Sequence, residues 1–211
     1  MGRAAGTPVP LAPVDRLELV NVRAAAVRYE GKAAIRLTED SSKPQTPDMP
    51  LLAILAGPEV SDGSIELFVA GRLPEGASAG ARGFVGLAFH VQEGGGRYQV
   101  LYLRPTNARA EDQLRRNHTT QYQALPGYPW HRLRAEQPSM FESYVDLEAG
   151  RWTKLRIELK GNTARLYVNG HPQPALIVND LKTPDRSGRL ALWIGPETVG
   201  YFAGLRVEAG K

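Results

Sequence analysis

The chain has 211 residues, 42% hydrophobic and 23% charged, with 22 Gly, 16 Pro and no Cys. That composition excludes a collagen-like or intrinsically disordered chain, and the missing Cys excludes a disulfide framework, a thiolate metal site and thiol catalysis. The formal net charge is +4, carried by 20 Arg and 6 Lys against 22 acidic residues. A planar five-donor guanidinium suits bidentate recognition of carboxylates and sugar hydroxyls, whereas nucleic-acid surfaces mix Lys with Arg along a stripe. No nucleic-acid partner is therefore expected, although a GC-rich genome accounts for the Arg bias equally well. The longest apolar run, Leu51 to Gly57, is about a third of the roughly 20 residues that cross a bilayer, so no membrane partner is expected either.

Residues 1–14 are rich in Pro and Ala, show no pattern and read as a flexible lead-in without the apolar core of a secretory signal; residues 15–211 read as one domain. Within that domain short runs with period-2 alternation recur between turn residues, and no 3.6-residue period lasts for three turns. The runs fall at 16–22, 25–29, 33–38, 51–55, 64–71, 84–91, 98–103, 144–147, 153–159, 164–168, 175–178, 190–194 and 201–207. Turn signals at Glu30-Gly31-Lys32, Asp62-Gly63, Gly94-Gly95-Gly96, Gly161-Asn162, Asn169-Gly170 and Ser187-Gly188 separate them. Thirteen strands of this kind predict an all-β, two-sheet antiparallel sandwich of jelly-roll type. Leu155, Ile157 and Leu159 alternate with Lys154, Arg156 and Glu158, as a strand with one wet face requires. Phe84 to Phe89 is apolar on both faces, which predicts a central strand whose second face is covered by a ligand or another segment.

About 40 residues, 104–143, separate the runs at 98–103 and 144–147, well beyond the roughly 12–15 at which an irregular loop becomes unusual. Six of the 20 Arg, two of the four His and one of the three Trp fall in this connection. Guanidinium forks and planar amides pair with vicinal hydroxyls, and an aromatic face stacks on a pyranose, so the stretch is the expected carbohydrate site. Its candidate ligand-binding residues are Arg104, Asn107, Arg109, Arg115, Arg116, Asn117, Gln121, Trp130, Arg132 and Tyr144, with Trp130 as the stacking platform. An acidic sugar would draw on the arginines most heavily. The structural alternative is a loop tied down by its own Arg-to-carbonyl bonds, with Trp130 plugged into the sandwich edge.

His118 lies in the densest polar stretch and is the candidate base, because flanking arginines depress its pKa and keep it neutral. Tyr122 is the candidate proton donor to a leaving glycosidic oxygen, or a stacking ring. Glu142, Asp146 and Glu148 would share one strand face with Tyr144 by their even separations, with Glu142 the candidate catalytic carboxylate. No His, Asp and Glu spacing reads as a zinc site, and the lone Asn179-Asp180 pair does not indicate calcium, so no cofactor is expected. No phosphate-binding Gly-x-x-x-x-Gly-Lys-Ser/Thr loop is present.

The C-terminal third carries a family resemblance. Gly150-Arg-Trp152-Thr-Lys-Leu-Arg-Ile157, Leu166-Tyr-Val-Asn-Gly170, Gly188-Arg-Leu-Ala-Leu-Trp193 and Phe202-Ala-Gly-Leu-Arg-Val207 resemble the closing strands of the concanavalin A-like lectin/glucanase superfamily. The order is similar to laminin-G-like domains and to bacterial 3-keto-disaccharide hydrolase-like domains. The resemblance implies a jelly roll, a sugar-related role, a ligand on the concave face of one sheet and a periplasmic or secreted setting. The paired-carboxylate strand of the laminarinase-type glucanases is not matched, since Tyr144-Val-Asp146-Leu-Glu148 has Tyr in place of its first carboxylate. Expectation therefore centres on an oligo- or polysaccharide-binding domain. A glycoside hydrolase or lyase acting on an acidic sugar and a protein-interaction module remain its alternatives.

Overall fold

The computed structural model describes residues 6–43, 46, 48–57 and 59–210. Among these residues the strands are β1 (Thr7–Pro8), β2 (Leu17–Val20), β3 (Val22–Tyr29), β4 (Lys32–Glu39), β5 (Leu52–Leu55), β6 (Gly63–Arg72), β7 (Val85–Val91), β8 (Tyr98–Leu103), β9 (Thr120–Leu125), β10 (Glu142–Ser143), β11 (Thr153–Lys160), β12 (Thr163–Val168), β13 (Leu176–Val178), β14 (Arg189–Ile194) and β15 (Val199–Ala209). Two short helices, α1 (Gln113–Asn117) and α2 (Trp130–Glu136), flank β9. The strands form two antiparallel sheets. One runs β13-β12-β11-β6-β15-β4-β3 with β1 beside β15, and the other β10-β9-β8-β7-β14-β5-β2.

The alternation expected from the sequence sets the packing. Along β11 Leu155, Ile157 and Leu159 are buried between the sheets, where they meet Ile65, Leu67 and Phe202 of their own sheet and Leu87, Phe89, Leu101 and Leu192 of the opposite one. Strand β7 is the middle strand of the seven-stranded sheet and every one of its residues is buried. Val85, Leu87 and Phe89 enter the inter-sheet core, while Ala88 turns to the sheet's outer face beside Tyr98, Tyr102, Leu125 and Trp193. The hairpin between β7 and β8 folds back over the far end of that face. A Cβ on Gly95 (φ +71°) would lie 3.1 Å from Leu52 and 3.3 Å from Ile54, so glycine allows this close approach.

Three expectations change. Thr7–Pro8 pairs with β15 and the Val9 N–H donates to the Leu205 carbonyl, so ordered backbone begins inside the stretch read as a lead-in; residues 1–5 lie outside the described residues. The connection 104–143 is not irregular throughout, because Thr120 to Leu125 forms β9, with Tyr122 and Ala124 toward the core and Gln121 and Gln123 on the other face. Residues 144–147 form no strand. Ser143 shares a 2.7 Å hydrogen bond with Thr120 and donates to the Ala175 carbonyl, turning the chain away after two residues of β10. Asp146 and Glu148 are consequently exposed and held by Arg109 at 3.0 and 3.3 Å, so Glu142, Tyr144, Asp146 and Glu148 do not share a strand face.

Tyr122 also moves from catalyst to core. It is fully buried, and its hydroxyl accepts from the Lys182 N–H (2.8 Å) and donates to Gln99 Oε1 (2.6 Å). The chain continues from Gln99 Nε2 to His90 Nδ1 (3.0 Å), and His90 Nε2–H donates to the Ser61 carbonyl (3.2 Å). The carbonyl can only accept, so Nε2 carries the proton, and the Gln99 amide nitrogen can only donate, so Nδ1 is bare; the network needs neutral His90, and burial pushes the imidazole below its ordinary pKa. Burial likewise holds the Tyr122 phenol well above its usual range, which removes it as a proton donor near neutral pH. Replacing it by Phe leaves Gln99 Oε1 and the Lys182 N–H unpaired. Urea unfolding of Tyr122→Phe is expected to show a loss of about 1–3 kcal/mol, and an unchanged stability would contradict this account.

Candidate functional site

One row of residues crosses the whole seven-stranded sheet. Cross-strand pairing puts Glu142 opposite Gln121, Gln121 opposite Tyr102, Tyr102 opposite Gly86, Gly86 opposite Trp193, Trp193 opposite Leu52 and Leu52 opposite Val20. The row therefore grades from a carboxylate at one edge, through an amide and two aromatic rings, to aliphatic side chains at the other. Gly86 is the hinge of this arrangement. Its missing side chain lets Tyr102 and Trp193 close over it to a centroid separation of 4.7 Å, and a Cβ there would sit 2.6 Å from that of Tyr102.

These rings floor a groove of about 540 Å³. Tyr98 extends the floor and accepts the Trp193 indole N–H at 3.3 Å; Phe84, Leu125 and Trp130 form its sides. Glu39 at the end of β4, Asp48 on the segment after it and Glu197 on the segment after β14 line it as well. The Glu197 carboxylate accepts from the Ser78 N–H (2.8 Å) and hydroxyl, which lowers its pKa and keeps it ionised.

A second pocket, of about 320 Å³, shares Gly80, Phe84 and Trp130 with the groove and is lined by Arg82, Arg104, Asn107, Arg115, His118 and Arg134. Arg104 is 5% exposed and donates to the Tyr102 hydroxyl (3.0 Å), Gln121 Oε1 (3.0 Å) and the His118 carbonyl (3.2 Å). Its guanidinium lies 5.7 Å from the centre of the Trp130 ring, and that of Arg134 4.7 Å from it. The α2 segment that carries Trp130 and Arg134 is fixed by the Trp130 N–H donating to Gln123 Oε1 at 3.2 Å. Behind the pocket the buried Glu142 accepts a forked pair from Arg134 (2.6 and 3.1 Å), lies 2.8 Å from His118 Nδ1 and 4.0 Å from Arg104.

Of the residues expected from the sequence, Arg104, Asn107, Arg115, His118 and Trp130 are brought to this pocket. Glu142 supports it from behind, with its carboxylate committed to Arg134 and His118. Gln121 is buried and spends its amide on the Tyr122 and Phe141 carbonyls and Arg104. Asn117 and Tyr144 line a smaller depression nearby, where Arg116 lies over the Tyr144 ring. Arg109 pairs with Asp146 and Glu148, and Arg132 with Glu136 and the Gly127 carbonyl, both on the surface away from the pocket. The aromatic floor, Arg82, Arg134 and the three groove carboxylates were not among the expected site residues. A signal for the floor existed in the small residues Gly86 and Ala88 alternating within an otherwise bulky strand. Among the described residues no cluster is placed to hold a metal ion, and Asp180 is engaged by Lys182 and Asn162.

No family model matches the sequence, and no curated protein is similar to it. Solved structures are. A carbohydrate-binding module, CBM66 from Bacillus subtilis, superposes with a TM-score of 0.62 at 12% identity, over 92% of this chain and 96% of that one. A Bacillus subtilis protein of unknown function with a galectin-like fold gives 0.59 at 11% identity, over 97% of each chain. The exoplasmic/lumenal domain of VIP36, solved with Ca2+ and Man3GlcNAc, gives 0.53 at 8% identity over 92% and 86%. The fold is a two-sheet antiparallel β-sandwich of the galectin-like, concanavalin A-like kind.

Within this sandwich the electrostatics of His118 follow from its neighbours. Burial lowers its pKa first; the Arg134 and Arg104 charges lower it further, and Glu142 opposes them. The folded value thus lies below the unfolded one, so stability is fully present above the ordinary imidazole range and declines as the pH falls through it. In Glu142→Gln the opposing charge is gone, and NMR titration is expected to place His118 lower still than in the wild type. Loss of this buried partner is also expected to cost about 3 kcal/mol, measured by urea unfolding. A His118 titration that rises or stays unchanged would contradict the assignment.

Proposed function

We propose that the protein is a carbohydrate-recognition domain that lays an oligo- or polysaccharide along the groove of the seven-stranded sheet. The observation that carries this reading is the groove itself, whose floor of buried rings, Tyr102 and Trp193 closed over Gly86, leads to the half-exposed Trp130 at its rim. A pyranose would present an apolar C–H face to the exposed Trp130 ring and hydroxyl donors to the groove, where the Glu39, Asp48 and Glu197 carboxylates supply acceptors. The similarity to a carbohydrate-binding module and to a glycan-bound lumenal domain supports the same reading at the level of fold.

Binding is favoured over cleavage because the candidate proton donor Tyr122, the candidate carboxylate Glu142 and the groove carboxylate Glu197 are each engaged elsewhere. Tyr122 is in the core, the Glu142 carboxylate is clamped by Arg134, and Glu197 is kept ionised by Ser78. Cleavage by the usual route needs a protonated carboxylic acid opposite a second carboxylate. The test is a glycan array followed by calorimetry on the best ligand. Trp130→Ala, a change at the rim that leaves the core intact, is expected to weaken binding about tenfold, equivalent to ~1.4 kcal/mol, with the glycan recovered intact. Silence across neutral and acidic glycans, or full affinity in Trp130→Ala, would overturn the proposal, and release of product would make the domain an enzyme.

A further inference from the structure

The pocket beside the groove carries a charge that its own residues do not balance. Four guanidinium groups, Arg82, Arg104, Arg115 and Arg134, line it, and His118 adds no compensating charge. Among the described residues Glu142 is the one carboxylate ion-paired with any of the four, and it reaches Arg134 and Arg104 from behind the pocket. Among the described residues Arg82 donates to the Ala79 and Ala81 carbonyls and to no carboxylate. Its pKa is held down by burial and then by the charges of Arg115 and Arg104. Like charges gathered in a half-enclosed space repel unless an anion enters between them.

Two further atoms point to a ligand. Asn107 is 3% exposed and gives its Nδ2–H to the His118 carbonyl, yet its Oδ1 has no partner among the described residues. The buried Nε of Arg115 also has none. The pocket thus offers an unmatched acceptor and an unmatched charged donor, and a buried polar atom left unpaired costs about 1–3 kcal/mol. A sugar acid carries the complement of both, an oxyanion with hydroxyl donors on adjacent ring carbons. Trp130, which lines pocket and groove alike, would carry the ring of that residue.

We propose that this pocket is an oxyanion subsite, and that the glycan bound along the groove is acidic, with a carboxylate or sulfate held by Arg82, Arg104, Arg115 and Arg134 and a neighbouring hydroxyl donated to Asn107. The proposal rests on the carbohydrate reading of the groove and names the ligand class it takes.

The experiment is calorimetry of the full chain with three oligosaccharides of equal length: an oligogalacturonate, a sulfated neutral oligosaccharide and its unsulfated parent. At least one acidic ligand is expected to bind about tenfold or more tightly than the neutral one, and which of the two does so separates carboxylate from sulfate. Arg115 and Arg82 hold no structural carboxylate, so the double variant Arg82→Gln/Arg115→Gln is expected to fold, checked by its melting temperature, and to lose that preference while keeping affinity for the neutral glycan. Arg28→Gln/Arg165→Gln removes the same charge from exposed strand positions and is expected to keep the preference. If the surface variant loses the preference equally, attraction is by net charge and the subsite is overturned. Equal affinity for acidic and neutral glycans in the wild type overturns the subsite and leaves the groove reading intact. Tighter binding of an oligoglutamate than of either acidic glycan overturns the sugar acid in favour of an acidic peptide, and no glycan binding at all defeats the groove reading itself.

Discussion

A single buried carboxylate organises the end of this sandwich where the groove and the arginine-lined pocket meet. A guanidinium taken out of water is costly unless it is hydrogen-bonded and faces an opposite charge, and Arg104 sits almost wholly inside the protein. Glu142, on the short edge strand β10, supplies that charge for Arg104 and Arg134 and orients His118. Arg104 in turn reaches Tyr102 on the groove floor, Gln121 on β9 and the carbonyl of His118. Floor, pocket and helix α2 are therefore tied to one another through two side chains. That arrangement holds Arg104 and Arg134 in place beside a pocket lined by four guanidinium groups, as the proposed oxyanion subsite requires.

The second constraint is a sheet that buries both faces. A sandwich strand ordinarily wets one face, and β7 does not. Its inner residues build the core shared with the eight-stranded sheet, while its outer Gly86 and Ala88 are small enough for the rings of β8 and β14 to meet above them. The Gly95 hairpin closes the aliphatic end of that face. The aromatic end instead lies beneath a groove, so one outer face is divided between a packed end and an open one.

Much of the fold was legible in the sequence because burial on one face imposes period 2. The alternation of β11, the two-faced apolar run of β7 and the turn residues between runs all lead to the observed elements. Strand β9 was hidden because its groove-facing residues are Gln121 and Gln123, and a buried amide satisfied by its neighbours reads as loop polarity. Asp146 and Glu148 misled in the opposite sense, since even spacing assigns a common face only if the backbone remains extended.

At the site, the local cluster Arg104, Asn107, Arg115, His118 and Trp130 could be found from the composition of one segment. The floor could not. Tyr98, Tyr102 and Trp193 lie on strands distant in sequence, and each reads as an ordinary core aromatic until the register brings it to Gly86. Arg109 and Arg132 share the segment's composition but are claimed by surface carboxylates, a pairing that depends on chain geometry absent from any short window.

The three tryptophans allow a direct measurement of where the ligand lies. Trp130 stands at the groove rim and Trp193 on its floor, whereas Trp152 packs against Tyr29 on the outer face of the other sheet. Titration of 15N-labelled protein with an oligogalacturonate, followed through the three indole N–H resonances, should move those of Trp130 and Trp193 and leave that of Trp152 in place. Movement of Trp152 alone, or saturation of binding with Trp130 and Trp193 unmoved, would contradict the account.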